Sequence, residues 1–326
     1  MKTTPKKQTT RISGGPGVDA LAARLGPVNL RSRLYLEANH GGQVFGPGRN
    51  SFHIENVEWL NTVIRCVFKA TGLYNRGYRN YTDIRIMENT VELEGLPSVF
   101  DGFRLLHLSD LHADLDAALV DAVIERVSSL EYDACVITGD FRIDTTGSSD
   151  AAVGEVLRLI PHLKPPKFAV LGNHDSIAIV PPLEGAGLRF LLNESVPLAR
   201  DGACIYLAGI DDPHLYETEN FEKACADIPS GATSILLAHS PEVYMRAAGC
   251  GFGLMLCGHT HGGQICLPGR IALARNEHNP RYMDAGAWRY DSLQGYTSPG
   301  TGASGVPLRF FCPPEVTVHE LRGIDD

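Results

Sequence analysis

The stretch LCGHTHGGQ, Leu256 to Gln264, puts two histidines at spacing i, i+2 in a glycine-rich loop directly after an apolar run. Glycines there permit a sharp turn around a metal, whereas a packed core gains nothing from them. Four further segments repeat the design: SDLH at Ser109 to His112, TGD at Thr138 to Asp140, GNHD at Gly172 to Asp175 and AHSP at Ala238 to Pro241. Each closes a β-branched or leucine-rich run (FRLLHL, ACVI, KFAVL, SILL, FGLML), so oxygen and nitrogen ligands stand at the ends of buried strands. Strand-end loops are where α/β proteins carry their chemistry. Singly, each segment has a plain reading: His239 as a hydrogen-bonded strand-end histidine, GNHD and TGD as turn chemistry. Five in one order, all at strand ends, point to a metal centre.

Working outward, strand and helix patterns alternate from Phe103: FRLLHLS, a helix carrying Leu115, Leu119, Ala122, Val127 and Leu130, ACVITG, a helix near Ala152 to Ile160, then KFAVLG. That is an α/β layout. Later strands (ACIYLAGI, TSILLAH, FGLMLCG) precede a terminal pair around PLRFFC and EVTVHEL that reads as antiparallel, so a mixed sheet or two stacked sheets is expected. Residues 101–326 form one catalytic domain. Residues 18–100 read as an accessory segment. Within it, Val57, Leu60, Val63, Ile64, Val67 and Phe68 keep one helical face over 57–68, stopped by Gly72. DIRIMENTVEL suggests a hairpin over 83–96 that turns near Glu88 and Asn89. Residues 1 to about 50 show no strong periodicity, and residues 1–17 read as a disordered basic tail.

Composition excludes several classes. The chain has 326 residues, 44% hydrophobic and 21% charged, a globular composition, and no apolar run approaches the roughly 18 residues a membrane span needs. The basic N-terminus lacks the apolar middle of a secretory signal, so a cytoplasmic protein is expected. Eight cysteines are scattered without a CxxC pair, and Cys135, Cys257 and Cys266 sit in or beside apolar runs, as buried free thiols do. A net charge of −9 argues against nucleic acid as a partner.

Asp110, His112, Asp140, Asn173, His239, His259 and His261 supply seven carboxylate, amide and imidazole donors, more than one four-coordinate zinc uses. Two divalent ions are therefore expected, among Mn²⁺, Fe²⁺, Zn²⁺ and Co²⁺, with Mn²⁺ preferred. Gly139, Gly172 and Gly258 each precede a donor or its neighbour, where a Cβ would crowd the metals. His53, His107, His162, His214, His278 and His319 lie outside these segments and read as structural or surface residues.

DxH, GD, GNHD, a lone histidine after an apolar strand and GHxH, in this order, resemble the calcineurin-like metallophosphoesterases. The resemblance covers Phe103 to Leu321, and the EGLPSVFDGFR, GGQ and RFFCPPE segments are similar to a small bacterial phosphohydrolase branch. It implies an α/β sandwich of two stacked mixed β-sheets flanked by helices, with metals at the strand ends. One ion would be held by Asp110, His112, Asp140 and His261, the other by Asp140, Asn173, His239 and His259, with Asp140 bridging. Two metals roughly 3.5 to 4 Å apart clamp a phosphoryl oxygen and turn a bridging water into hydroxide near neutral pH. His174, beside ligand Asn173, is then the candidate to protonate the leaving alkoxide. Asp175 would orient that imidazole or its loop, and Arg142 in GDFR would reach the phosphate in a bidentate contact or serve as an ordinary loop arginine.

The expected activity is phosphoester hydrolysis, foremost of a phospholipid headgroup or lipid-linked phosphodiester, as in a phospholipase C. A soluble phosphatase or a cyclic-nucleotide or pyrophosphate phosphodiesterase is the alternative, and a non-catalytic metal-binding module a third. Lipid is favoured by the 57–68 helix with Trp59 and the following Tyr74, Arg76, Tyr78, Arg79, Tyr81 and Arg85, which suit peripheral attachment at the inner membrane face. A helix packed on the catalytic domain is the plainer reading of the same periodicity.

Overall fold

Period-two alternation in the central strands decides the layers: Leu105, Val136, Phe168 and Val170 face one core while Leu106, Leu108, Ile137 and Ala169 face another. The computed structural model describes residues 16–39, 42–273, 275 and 278–324. Its first sheet contains β1 (Arg85–Leu93), β2 (Arg104–Leu108), β3 (Ala134–Thr138), β4 (Lys167–Val170) and β5 (Arg189–Phe190). The second begins with β6 (Glu194–Arg200), β7 (Ala203–Gly209), β8 (Ser234–Leu237) and β9 (Leu254–Cys257). After a ribbon of β10 (Cys266–Leu267) and β11 (Ile271–Ala272) come β12 (Gly286–Tyr290) and β13 (Leu293–Thr297), and β14 (Glu315–Gly323) returns to the first sheet. The strand orders are β1-β14-β2-β3-β4-β5 and β12-β13-β9-β8-β7-β6. Both sheets are mixed: β2, β3, β4 and β5 run parallel, as do β7, β8, β9 and β13, while β14 on β2, β6 on β7 and β12 on β13 are antiparallel.

The sheets stack through Phe103, Leu105, Val136 and Val170 on one side and Ile205, Leu207, Ile235, Leu237 and Leu256 on the other. Helices cover the outer faces. On the first sheet lie α1 (Pro16–Leu25), α2 (Pro27–Asn39), α5 (Ala117–Val127), α6 (Asp150–Leu159) and α7 (Val180–Gly185), which contribute Leu25, Leu30, Val123, Val156 and Leu183. On the second lie α8 (Phe221–Cys225) and α9 (Tyr244–Gly249). Between α2 and α5 in sequence, α3 (Glu58–Ala70) and α4 (Tyr74–Thr82) pack on the loop carrying Val306, Leu308 and Phe310. Phe68 stacks on Phe310 with ring centroids 4.9 Å apart, and Gly77 leaves room for that same Phe310 ring.

Several expectations change. The hairpin over 83–96 does not form: Arg85 to Leu93 is one strand running parallel to Glu315–Gly323, and Asn89, the expected turn residue, bonds His319 across that pairing. The terminal antiparallel pair is also absent. PLRFFC contributes only an isolated parallel bridge from Phe310 to Ile265, while the last strand lies between β1 and β2. The basic tail expected over residues 1–17 lies mostly outside the described residues, but Pro16 and Gly17 already belong to α1. Helix α3 runs Glu58–Ala70, with Val57 at its N-cap and Gly72 at positive φ just past its end. The stretch without periodicity holds two helices, α1 and α2. Of the histidines read as structural or surface residues, His53, His107, His214 and His319 are buried, in keeping with the structural alternative.

Candidate metal centre

The donors gather because parallel strands β2, β3, β4, β8 and β9 end on the same side, and each apolar run stops one to three residues before a polar group. The backbone there is unusual. Asp110, His112, Asp140, His259 and His261 all take positive φ, between 41° and 70°, a region that disfavours residues with a Cβ. Such conformations cost about 1 to 3 kcal/mol each and persist where surrounding contacts over-determine them. Here Asp110 N donates to Gly139 O at 3.0 Å and His112 N to Asp140 O at 3.0 Å, locking the first two motifs together. Gly172 and Gly258 cannot carry a side chain, since a Cβ would strike the Asp140 and Asp110 carboxylates respectively.

Asp140 Oδ2 lies at the centre, 3.3 Å from His239 Nε2, 3.7 Å from His112 Nε2 and 3.9 Å from His174 Nε2. His261 Nε2 is 3.6 Å from Asp110 Oδ1 and 3.1 Å from His112 Nε2. On the other side Asn173 Oδ1 stands 3.0 Å from His239 Nε2 and 2.9 Å from His259 Nδ1. Three sets with donor atoms within 4.8 Å of one another result: Asp110, His112 and His261; His112, Asp140 and His174; and Asp140, His239 and His259. The outer nitrogens are fixed: His112 Nδ1 meets Arg142 O at 2.7 Å and His239 Nδ1 meets Thr138 O at 2.7 Å, so both Nε2 atoms turn inward. Imidazoles oriented this way suit borderline divalent ions, and the mixed oxygen and nitrogen set fits two of them.

The electrostatics agree. Burial pushes the Asp110 carboxyl up to about 6, with the Asp140 charge adding to it against the pull of His239. Burial also opposes ionisation of Asp140, but His239, His174 and His112 outweigh it and hold that carboxyl well below its usual range. His239 is resisted by burial yet raised to about 10, mainly by Asp140. Burial and neighbouring positive rings depress His112, to about 3, and also His259 and His261. Buried carboxylates beside three imidazoles held neutral, those of His112, His259 and His261, are a setting a dication satisfies.

The three residues expected to do chemistry have distinct surroundings. His174 Nδ1 rests 2.6 Å from Ile143 O, leaving Nε2 toward Asp140. Asp175 does not touch that imidazole; its carboxylate accepts the N–H groups of Asp140, Phe141 and Gly172, each at 2.8 Å, and clamps TGD to GNHD. Arg142 is buried, and its Nε, Nη1 and Nη2 donate to His174 O, Gly147 O and Thr145 O, so the loop-arginine role is the one its contacts describe.

Further residues escaped sequence reasoning. Arg33 of α2 is fully buried and reaches Asp211 and Asp175 O. Arg309 bonds His261 O and the carbonyls of Pro299, Gly300, Gly302 and Cys312. His214 packs 4.1 Å, centroid to centroid, from His259. A signal for it existed: GIDDPH ends the run ACIYLAGI just as the five motifs end theirs.

Comparison with known proteins agrees with this arrangement. A family model for calcineurin-like phosphoesterase matches residues 103–263. The uncharacterized metallophosphoesterase YkuE of Bacillus subtilis (strain 168) is 31% identical over 262 residues, 76% of this chain and 89% of YkuE. Phosphodiesterase YaeI of Escherichia coli (strain K12) is 29% identical over 228 residues, 67% of this chain and 82% of YaeI. A transmembrane protein with metallophosphoesterase domain from Danio rerio is 28% identical over 320 residues, 92% of this chain and 68% of its own. The chain belongs to the calcineurin-like phosphoesterase family and is a hydrolase of phosphoester bonds.

Proposed function

We propose that the chain is a phosphodiesterase holding two divalent ions, Mn²⁺ foremost, and that it cleaves a phospholipid headgroup or lipid-linked phosphodiester. The observation that carries the hydrolytic part is the central Asp140 Oδ2, approached by His239 and His112 from opposite motif loops. One ion would be held by Asp110, His112, Asp140 and His261, the other by Asp140, Asn173, His239 and His259. Bound there, the pair would supply Lewis acidity toward a phosphoryl oxygen and acidify water. His174, its Nδ1 hydrogen on Ile143 O, offers Nε2 to the leaving oxygen as proton donor. Asp175 keeps the Asp140 and Gly172 backbone in register, and Arg142 ties the His174 carbonyl to the loop after GDFR.

The lipid reading is supported by α3 and α4. Leu60, Ile64 and Phe68 lie on a half-buried face, but Trp59, Val63 and Val67, at i, i+4 and i+8, are 67%, 46% and 53% exposed. From Trp59 to Thr82 the chain holds Arg65, Lys69, Arg76 and Arg79 and no acidic residue, within a chain of net charge −9. An apolar stripe beside cations suits the surface of an anionic bilayer. Among the described residues no helix is long and apolar enough to cross a membrane, so peripheral attachment, at the cytoplasmic face, is the mode proposed. The test compares bis(p-nitrophenyl) phosphate with p-nitrophenyl phosphate, and phosphatidylglycerol vesicles with phosphatidylcholine ones. Faster diester cleavage and sedimentation with anionic vesicles, lost in Trp59→Ala/Arg76→Ala/Arg79→Ala, is expected. Monoester preference without vesicle binding would point to a soluble phosphatase instead.

A further inference from the structure

The short hairpin that follows the metal loop has two faces of opposite character. In the pairing of β10 with β11, Cys266 stands opposite Ala272 and Leu267 opposite Ile271. The first pair turns inward. A Cβ on Gly263 would strike Ala272, and the Cys266 thiol donates to Gly262 O at 3.3 Å, so the ribbon lies directly on the loop that carries His261. Strand alternation then turns the second pair outward. Leu267 and Ile271 are 48% and 58% exposed, and Leu273, two residues further, is 62% exposed. Three aliphatic side chains left in water at one tip forfeit their burial energy, and exposed apolar groups clustered in this way mark interaction sites.

Cations border this tip. Arg270, Arg275, Arg281 and Tyr282 line a cavity of about 320 Å³ that Gly262 of the metal loop also lines. Arg275 holds Asp284 at 2.7 Å, whereas among the described residues no carboxylate lies within ion-pair distance of Arg270 or Arg281. Arg270 also touches the Cys312 thiol, and both it and Arg281 remain exposed. From Ile265 to Tyr282 the sequence sets three arginines against one glutamate, in a chain of net charge −9. The ribbon is joined as well to the surface that α3 forms. Ile265, the residue before β10, belongs to the cluster of Ile64, Phe68 and Phe310, and Cys266 N donates to Phe310 O at 2.9 Å. The hairpin tip and the exposed Trp59, Val63 and Val67 are therefore carried on one packed unit.

We propose that the β10–β11 hairpin is the lip by which the metal centre engages an anionic phospholipid bilayer, Leu267, Ile271 and Leu273 entering the acyl boundary while Arg270 and Arg281 meet lipid phosphates. The chemistry selects that occupant. An anionic bilayer sets a layer of phosphates over an apolar interior, and the hairpin sets arginines beside an apolar tip. Because the inner face of the same hairpin rests on the metal loop, docking brings the headgroup layer up to His261. This inference rests on the lipid reading of the substrate, and it makes the hairpin, not α3 alone, the element that admits the lipid.

The test uses Mn²⁺-loaded full-length protein and vesicles of equal parts phosphatidylglycerol and phosphatidylcholine. It reads the vesicle partition coefficient by sedimentation, and the ratio of phosphatidylglycerol cleavage to cleavage of soluble bis(p-nitrophenyl) phosphate. Leu267→Ser/Ile271→Ser should lower both about tenfold, the worth of withdrawing two half-exposed aliphatic side chains from water. Leu267→Trp, which favours the interface, should raise both. Arg281→Gln should lower the partition coefficient about fivefold at low salt and leave no difference at high salt, where the attraction is screened. Melting temperatures should stay at wild type, since the altered side chains are exposed; if the double variant lost stability, Leu267→Trp alone would decide. Wild-type protein that binds the vesicles and cleaves phosphatidylglycerol, with the Leu267→Ser/Ile271→Ser and Leu267→Trp variants equal to it in both readouts, would overturn the proposal. Wild-type protein that hydrolyses the soluble diester but neither binds the vesicles nor cleaves phosphatidylglycerol would instead overturn the lipid reading on which this one rests.

Discussion

Replacing Arg33 with Met should destabilise the metal-free protein by about 3 to 5 kcal/mol, the usual cost of breaking a buried ion pair from one side. The guanidinium is fully buried, with Nη1 2.5 Å from Asp211 Oδ1, Nη2 2.7 Å from Asp175 O, Nε 3.1 Å from Glu37 and its plane 4.1 Å above the Tyr216 ring. Burial disfavours this cation, but the charges of Asp211 and Glu37 outweigh it and hold its pKa above the ordinary value. Methionine fills much of the volume but strands Asp211, whose remaining side-chain partner is Thr218 Oγ1 at 2.7 Å. Urea unfolding of the metal-free protein is the assay: the midpoint should fall at constant m-value. Arg33→Met/Asp211→Asn should recover at least half the loss, because the stranded charge is gone. A single variant within about 1 kcal/mol of wild type, or a double variant no better than the single, would refute the reasoning, since either is below the expected cost of an uncompensated buried charge.

Other outcomes follow from the same geometry. Asp175→Asn replaces one acceptor with a donor opposite the N–H groups it clamps, so about 2 to 4 kcal/mol of stability should go, with weaker Mn²⁺ binding by calorimetry. His174→Ala should keep its metal by elemental analysis and lose turnover, most on esters with poor leaving groups. His107 and His319 stay neutral in the fold, His107 pushed down to about 3 by burial and His319 also depressed, by burial and then by His107. An unfolded histidine takes its proton near 6.5, so their contribution is full above that pH and declines below it, by about 1.4 kcal/mol per pH unit and ring. Melting temperatures of metal-free protein should therefore drop steeply from pH 6.5 to 5, and His107→Gln/His319→Gln should flatten that slope.

What the sequence disclosed follows from which signals are local. Apolar runs ending in Asp, Asn or His mark both a buried strand and its polar end, so the seven side chains that the structure gathers were legible locally, and the stacked sheets through the family resemblance that those motifs carry. Strand pairing is not local. DIRIMENTVEL alternates as a hairpin would, yet its partner is Glu315–Gly323, more than 200 residues away in sequence, and nothing within the segment announces that. Helix α2 was hidden because its inward side is carried by Leu30 and by a charged residue, Arg33, whose burial depends on a carboxylate from another part of the chain. Arg142 was legible as a loop residue but not as one tied to three backbone carbonyls, because those carbonyls come from the loop's own fold and from His174. His214 was passed over although GIDDPH carries the strand-end signature, since one histidine without a second donor at ligand spacing looks structural.

The most direct test is the metal content of the purified protein by elemental analysis, joined to hydrolysis of a chromogenic diester before chelation, after it, and after Mn²⁺ is returned. The account predicts two ions per chain, loss of activity with the ions, recovery with Mn²⁺, and neither ions nor recovery in Asp140→Ala. Full diester hydrolysis by metal-free protein, or an Asp140→Ala variant that still binds two ions and turns over, would contradict it.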